Sequence, residues 1–281
     1  MPGLATVVGL GLHPVKSTAI RPVGSAEVAP YGLVGDRRWM VVDADHVLVS
    51  AREHRELFRI VADTPQTDPT LTVPLRLSAP GLPSIEVAEP QSAAVDLQLF
   101  GNELTGRPAD DLTNAWLRDA AGRSDLTLVW CDDPQRRTLN PAYSEPGDHT
   151  GFADGYPVTL ASLSSLQQLN DWILQGALER GEEPPAPLPI ERFRANIVID
   201  GTEAFAEDHW TRIRIGGVAF RKAKPVDRCV MTTISAEDLS STKEPIRTLA
   251  RHRLFDRKTM FAIHLVPEGT GEIRLGQPVS V

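Results

Sequence analysis

The sequence predicts a mainly β protein with a few helices, in the α+β class. Apolar, β-favouring runs of about four to eight residues recur along the chain between turn residues. Of the 281 residues, 23 are proline and 21 are glycine, and few segments keep a helical period over a long stretch. This composition favours many short strands joined by turns.

The N-terminal part is predicted to consist of strands. Strand candidates are residues 6–12, 38–42, 46–49, 71–77 and 84–87. Asp43, Ala44 and Asp45 separate two of these candidates and predict a hairpin turn, and Pro74 places its strand at a sheet edge or splits it. Short strands at this spacing are typical of a barrel or a sandwich.

Two helices interrupt this pattern. The first is predicted over residues 112–121, with Asp111 as its N-cap and Gly122 as its stop. The second follows Ser162 and stops near Gly181, because apolar residues recur at helical spacing. These residues are Leu166, Leu169, Ile173 and Ala177.

The C-terminal part returns to strands after a proline-rich, extended and solvated segment at 182–189. Strand candidates there are 196–200, 212–215, 218–220, 230–234, 261–266 and a hairpin-like tail at 271–279. The polar residues 132–137 predict an exposed turn, with Arg137 as a possible gate of a cleft. We expect a domain boundary near 122–126, which divides the chain into residues 1–123 and 124–281.

The charge balance excludes some partners. The formal net charge of the chain is −8, whereas a protein that binds nucleic acids or anionic membranes needs a basic face. No apolar run reaches the ~18 residues of a membrane span. Residues 1–4 show no basic region leading into an apolar one, so we expect no signal peptide. A cytoplasmic protein without nucleic-acid or membrane partners is predicted.

Cys229 carries the strongest chemical signal. The chain has two cysteines, too few for a disulfide framework or for the four ligands of an iron–sulfur cluster. Cys229 follows Arg228 and lies near Lys222 and Lys224. Positive charge favours the thiolate, which attacks electrophiles or binds soft metals. The alternative is a buried, inert side chain at a strand start, which is our interpretation of Cys131.

Several motifs occur in an order that resembles the MOSC-domain family with its N-terminal β-barrel partner domain, the group that includes the mitochondrial amidoxime reducing component. They are HPVKS at 13–17, GDRRW at 35–39, FADGYPV at 152–158, RFRANIV at 192–198, FAEDHW at 205–210, the segment around Cys229, and EPIRTL at 244–249. The resemblance covers nearly the whole chain.

The resemblance implies an N-terminal β-barrel domain, a C-terminal MOSC β-barrel domain and a bound molybdenum cofactor (Mo-molybdopterin). Cys229 matches the cysteine that ligates the metal in the family and is therefore the implied metal ligand and catalytic residue. A thiolate is a soft donor, which suits this role. Asp227 is a candidate acid beside the metal, and a turn-forming aspartate is the alternative.

The cofactor has a phosphate group, which needs compact positive charge, forked donors and hydroxyls. By the family motifs, Lys16 and Ser17 contact it, and Arg37 reaches it from the start of a strand. Arg52 is a weaker candidate for the same pocket. The alternatives are a solvated loop charge for Lys16 and a surface pair with Asp36 for Arg37, which would stabilise little.

The C-terminal part supplies two further candidates from one strand. Arg194 and Asn196 stand two residues apart and so point to one face, where they could hydrogen-bond to the pterin. The family usually has proline between them, and this chain has Ala195. A salt bridge at the strand start is the alternative for Arg194.

Hydroxyl residues near the second helix complete the cofactor-binding set. Ser162 is predicted to cap that helix, and Ser165 lies in its first turn, where phosphate is attracted. Thr159 is a weaker candidate just upstream. Arg228 is included because it borders Cys229.

The leading hypothesis for function is a molybdenum oxidoreductase that reduces N-hydroxylated compounds such as amidoximes, hydroxylamines and N-hydroxylated bases. A separate electron-transfer protein, a ferredoxin or a reductase, would supply the electrons. The alternative is a carrier of persulfide sulfur on Cys229. A third hypothesis, pyridoxal phosphate binding through Lys16, Lys222 or Lys224, rests on family analogy. It is disfavoured because no lysine lies in an evident apolar pocket.

Overall fold

The structure is a computed structural model that describes residues 5–281, so the prediction about a signal peptide at residues 1–4 lies outside the described part. Strands in the first half are β1 (Ala5–Leu12), β2 (Arg21–Pro22), β3 (Ser25–Ala29), β4 (Gly32–Leu33), β5 (Trp39–Val42), β6 (Val61–Asp63), β7 (Leu75–Ser78), β8 (Ile85–Val87), β9 (Val95–Leu99), β10 (Asn102–Pro108) and β11 (Thr127–Trp130). Those in the second half are β12 (Val158–Ser162), β13 (Ile197–Asp200), β14 (Arg212–Ile215), β15 (Val218–Asp227), β16 (Leu254–Phe255), β17 (Lys258–Pro267), β18 (Gly271–Arg274) and β19 (Pro278–Ser280).

Helices are few, as predicted. The α-helices of the described part are α1 (Asp111–Ala121), α2 (Leu163–Glu179) and α3 (Ile246–His252). Short 3₁₀ helices occupy Arg55–Arg59, Pro134–Arg136, Ile190–Phe193, Ala206–His209 and Val230–Thr233. The predicted mainly β class with a few helices is confirmed.

The chain divides into two compact units. Of the described residues, one unit, here called the barrel unit, contains 5–11, 24–28 and 158–281, and the other, the N-terminal unit, contains 12–23 and 29–157. The predicted boundary near 122–126 stays a prediction.

The barrel unit is built on a closed sheet. Its strands pair in the order β12, β13, β1, β19, β14, β15 and β17, and β17 pairs back onto β12. Closure gives every one of these strands a neighbour on both sides, so no edge is left open within the ring. β12 and β13 are parallel. A parallel pair needs a crossover connection, and α2 provides it.

Helix α2 follows the apolar spacing of its sequence. The predicted stripe of Leu166, Leu169, Ile173 and Ala177 is buried, and it packs in one core with Phe193 and Phe261. Ser162 stands at the N-cap position but its side chain makes no capping hydrogen bond. The prediction that it caps the helix through its hydroxyl is therefore wrong.

The N-terminal unit contains two sheets. One orders β5, β11, β10 and β9, and the other orders β6, β7 and β8. A core on the first of these sheets includes Met40, Val42, Leu97, Phe152 and the buried Cys131. Burial raises the pKa of the Cys131 thiol, which agrees with an inert structural cysteine.

Local predictions in this unit are met with small differences. The cap of α1 is Asp110, whose carboxylate accepts the N–H of Thr113 at 2.7 Å, and not Asp111. Gly122 ends the helix with a φ of 66°, in the left-handed region that favours glycine. The predicted strand at 46–49 makes isolated bridges from Val47 and Leu48 only.

No helix within residues 5–281 combines the length and the apolar character needed to cross a membrane.

Candidate functional site

Lys16 lies in the loop that follows β1 and is almost completely buried. It is 3% exposed, and its backbone N–H donates to the carbonyl of Trp39 at 2.8 Å. The ammonium donates to the carbonyl of Phe152 at 2.8 Å and to the carboxylate of Asp154. The alternative of a solvated loop charge is therefore wrong for Lys16.

Arg37 and Asp36 form a second charged pair nearby. Arg37 donates to the Asp36 carboxylate, which also accepts the backbone N–H of His13 at 2.7 Å. Burial by itself would raise the pKa of Asp36, but Arg37 and the bonds from His13 outweigh it and lower that pKa to about 2. The pair is buried, so the alternative of an exposed surface pair does not describe it.

Arg137 is a third buried cation in this region, where the sequence predicted an exposed turn. It is 7% exposed. Its guanidinium donates to the carbonyls of Gly151 at 2.8 Å and Asp154 at 3.1 Å. Nothing in the polar run 132–137 indicates this burial, because it depends on a segment about fifteen residues further along the chain.

The segment 151–154 is pressed against the Arg37 backbone. Phe152 N–H donates to the Arg37 carbonyl at 2.9 Å. A Cβ added to Gly151 would stand 2.9 Å from the same oxygen, so only glycine permits this approach. Packing at this point brings Asp154 to the cations.

Arg52 completes a group that we call the cationic cluster, defined as Lys16, Arg37, Arg52 and Arg137. Arg52 Nη2 lies 3.5 Å from the Asp154 carboxylate, which is half-exposed. Partial desolvation opposes ionisation of Asp154, yet Lys16, Arg37 and Arg52 outweigh it and lower its pKa. Burial also lowers the pKa of Lys16 to about 8, against the opposing effect of Asp154. Burial lowers the pKa of Arg137 to about 10.

The cluster carries more positive charge than its carboxylates neutralise. Four cations, of which Arg52 is partly exposed, face Asp36 and Asp154. An excess of charge on largely buried groups is unfavourable until a counter-charge arrives. Ser17, next to Lys16, has a φ of 72°, a strained conformation that concentrates at functional sites. The structure thus brings together four of the predicted cofactor-binding residues: Lys16, Ser17, Arg37 and Arg52.

Cys229 lies in the barrel unit at the end of β15, and its surroundings differ from the prediction. Residues 230–233 form a 3₁₀ helix and not a strand. Thr232 N–H and its hydroxyl donate to the Cys229 carbonyl at 3.1 and 3.0 Å. The thiol is partly exposed and forms no disulfide.

Arg228 packs its guanidinium against Phe193 and Phe261 in the barrel unit. Its Nε donates to the carbonyl of Phe261 at 2.8 Å and its Nη1 to that of Phe193 at 3.1 Å. Its own N–H donates to the carbonyl of Thr259 at 2.8 Å. These bonds fix the backbone that carries Cys229 and join it to the residue that precedes Arg194.

Asp227 is exposed and lies beside two lysines. Lys224 Nζ is 3.3 Å and Lys258 Nζ is 3.8 Å from its carboxylate. Desolvation opposes ionisation, but the two lysines outweigh it and lower the pKa of Asp227. At neutral pH this side chain is a carboxylate.

Asn196 and Thr159 are joined directly. Asn196 is fully buried; its Oδ1 accepts the Thr159 N–H at 3.1 Å, and its Nδ2 donates to the Gly11 carbonyl at 3.1 Å. The amide thus connects β1 and β12 across β13. Thr159 Oγ1 also lies 3.4 Å from Nδ1 of His264, a buried residue that the sequence analysis missed.

Arg194 precedes this strand at the end of the 3₁₀ helix Ile190–Phe193. Its φ of 50° places it in the left-handed region, which is uncommon for any residue except glycine, asparagine and aspartate. It therefore joins Ser17 and Arg37, whose φ is 45°, among the candidates with strained backbone.

Ser162 and Ser165 are fully buried and bonded to other side chains of the barrel unit. Ser162 Oγ lies 3.1 Å from the hydroxyl of Thr202. Ser165 donates to Glu207 at 2.7 Å and accepts the Phe205 N–H at 2.8 Å. The structure does not bring these two hydroxyls into contact with the other candidates.

Comparison with known proteins gives the family. The sequence matches the MOSC N-terminal beta barrel domain over residues 4–124 and the MOSC domain over residues 147–280. It is 29% identical to human mitochondrial amidoxime-reducing component 1, with 98% of this chain and 82% of that protein covered. It is also 29% identical to rat mitochondrial amidoxime reducing component 2, with 98% and 83% covered.

Among solved structures, the YUAD protein from Bacillus subtilis aligns with a TM-score of 0.44 and 13% identity, covering 99% of this chain and 94% of that one. On the sequence matches over both parts of the chain, this is a MOSC-domain protein with an N-terminal MOSC β-barrel domain.

Proposed function

We propose that this protein is a molybdenum-cofactor oxidoreductase that reduces N-hydroxylated compounds, such as amidoximes, hydroxylamines and N-hydroxylated bases. The observation that carries the proposal is the cationic cluster, whose excess of positive charge on largely buried side chains suits a phosphate group. Relatives whose names describe amidoxime reduction match 98% of the chain, which supports the same reaction class.

The residues present fit the cofactor by their chemistry. Cys229 offers a partly exposed thiol without a disulfide partner, the soft donor that a sulfur-bound metal accepts. Lys16 and Arg52 would hold the phosphate, with the Ser17 hydroxyl as a further donor. We propose that Arg37, whose backbone is strained, adds hydrogen bonds to the phosphate. Arg194, also with strained backbone, is proposed to hydrogen-bond to the pterin.

When bound, the cofactor supplies the two-electron reduction of the N–O bond. Two electrons and two protons convert R–NH–OH into R–NH₂ and water. Because its pKa is lowered, Asp227 is a poor proton donor at neutral pH. We propose instead that its carboxylate accepts hydrogen bonds from the N–H and O–H groups at the N-hydroxylated end of the substrate.

The electrons would come from a separate carrier, a ferredoxin or a reductase, that docks transiently. We also propose a cytoplasmic location for this protein. The relatives differ in this respect, since their names describe them as mitochondrial. Cell fractionation with an antibody to this chain tests the location.

The decisive experiment is metal and pterin analysis of protein from a molybdate-supplied host. Wild type should contain molybdenum near one per chain, and Cys229→Ala should lose it or hold it loosely. Cys131→Ala is the matched control, since Cys131 is buried in the other unit, and it should keep the metal. Wild type without molybdenum and pterin would contradict the proposal.

The same preparations test the other two functions. A persulfide carrier would show an added sulfur on Cys229, about 32 Da, without molybdenum. Pyridoxal phosphate binding has one observation in its favour, the buried Lys16 with its pKa lowered to about 8, which is what a Schiff-base lysine needs. Borohydride reduction followed by peptide mapping would locate such an adduct on Lys16.

A further inference from the structure

Phe100 occupies a position that does not suit a phenylalanine. It forms the turn between β9 and β10 with Gly101, and both residues have positive φ, 50° and 79°. Two consecutive positive φ values are typical of a type I′ hairpin turn, where asparagine, aspartate and glycine are preferred. A bulky residue is strained there, and the Phe100 ring is also 45% exposed.

The ring lies against two members of the cationic cluster. The Arg52 guanidinium carbon is 4.4 Å from the ring centroid, and Lys16 Nζ is 5.4 Å from it. Both distances fall within the range of a cation–π contact. Phe100 is therefore unfavourable for the turn, because it strains the backbone and exposes an apolar ring. It nevertheless supplies the aromatic face that the two cations contact.

Arg52 has few other contacts that would hold it. Its ion pair with Asp154 is 3.5 Å long, and its buried Nε makes no hydrogen bond within residues 5–281. The Phe100 ring is thus the group that fixes the plane of the guanidinium. For Lys16 the ring centroid lies 5.4 Å from the ammonium, whereas Phe152 and Asp154 accept its hydrogen bonds.

We propose that Phe100 is a positioning residue for anion binding, which holds Arg52 and Lys16 in place for the phosphate of a bound ligand. That the ligand is the cofactor rests on the function proposed above. The ring acts through the two cations and need not touch the ligand. An aromatic face at position 100 is required, and an apolar side chain of similar size is not sufficient.

Three substitutions separate this role from a structural one. Phe100→Leu keeps an apolar side chain without the π face, Phe100→Trp keeps an aromatic face, and Phe100→Asn should relieve the turn strain. Phe255→Leu is the matched control. Phe255 is 50% exposed, and the guanidinium carbon of Arg253 lies 5.0 Å from its ring centroid. It resembles Phe100 in these respects but belongs to the barrel unit and not to the unit of the cationic cluster.

The probe is inorganic phosphate, titrated by calorimetry into each full-length protein purified without cofactor, with thermal unfolding measured alongside. We expect Phe100→Leu and Phe100→Asn to bind phosphate about fivefold to tenfold more weakly, the effect of about one cation–π contact. Phe100→Trp should match wild type, Phe100→Asn should unfold no earlier than wild type, and Phe255→Leu should bind as wild type does.

Unchanged phosphate affinity in Phe100→Leu, or no measurable phosphate binding by wild type, would overturn the inference. Failure of the proposed function gives a different result, in which wild type binds phosphate and the substitutions weaken it but no preparation contains molybdenum. If wild type contains molybdenum but the substitutions at position 100 leave the phosphate affinity unchanged, only the role of Phe100 is refuted.

Discussion

Ser165 donates its hydroxyl hydrogen to Oε1 of Glu207 at 2.7 Å, and both side chains are fully buried. Oε2 of Glu207 has no hydrogen-bond partner within residues 5–281. Burial raises the pKa of Glu207, and the bond from Ser165 only partly opposes it. A carboxyl in this setting is favoured in its neutral form.

The free energy of unfolding should therefore depend on pH through Glu207. Its pKa is higher in the folded than in the unfolded protein, so the folded state binds more protons in the interval between the two values. Stability from this group is fully present below the unfolded pKa of about 4.3 and falls as pH rises through the folded pKa. Denaturant unfolding across this range should show the fall in wild type and lose it in Glu207→Gln. Glu203→Gln, at an exposed position, should keep it.

The Lys16 pKa should respond to Asp154. Burial lowers the pKa of Lys16 more than the Asp154 carboxylate raises it, and the net value is about 8. Asp154→Asn should move that pKa below about 8, and NMR titration of ¹³C-methylated lysines measures it. Asp132→Asn, which removes a carboxylate paired with Arg107 and Arg136, should leave it in place. An unchanged pKa in Asp154→Asn would show that the ion pair does not persist in solution.

Arg228 should position the Cys229 segment rather than merely supply charge. Arg228→Lys keeps the charge but cannot bond the carbonyls of Phe261 and Phe193 together. We expect a loss of about 1–3 kcal/mol in the free energy of unfolding and faster reaction of Cys229 with a thiol reagent. Arg257→Lys, at an exposed position, serves as the control. Equal thiol reactivity in both variants would argue that the bonds of Arg228 do not order Cys229.

Asn196 should contribute to stability whatever its role toward the cofactor. Asn196→Ala leaves the Thr159 N–H and the Gly11 carbonyl without their side-chain partner inside the barrel unit. The cost should be about 2–4 kcal/mol from these buried groups, measured by denaturant unfolding. Asn140→Ala at an exposed turn should cost less than about 1 kcal/mol. A small effect at position 196 would mean that water replaces the lost bonds.

The sequence by itself determined the features that depend on neighbouring residues. The spacing of Leu166, Leu169, Ile173 and Ala177 predicts α2, since the helical period places them on one face. Gly122 predicts the end of α1 because few other residues adopt its φ easily. The basic surroundings of Cys229 and the motifs at 13–17 and 35–39 predicted the candidate site residues.

Only the tertiary structure decided how those residues are used. Asp154 pairs with Lys16 across 138 positions of sequence, and Ser165 bonds to Glu207 rather than standing open at a helix end. The segment 230–233 has strand-forming residues but folds as a 3₁₀ helix, where Thr232 and Thr233 bond to the carbonyls of Cys229 and Val230. Local patterns set periods and turns, whereas the burial of a charge or a hydroxyl depends on partners that only the folded chain brings near.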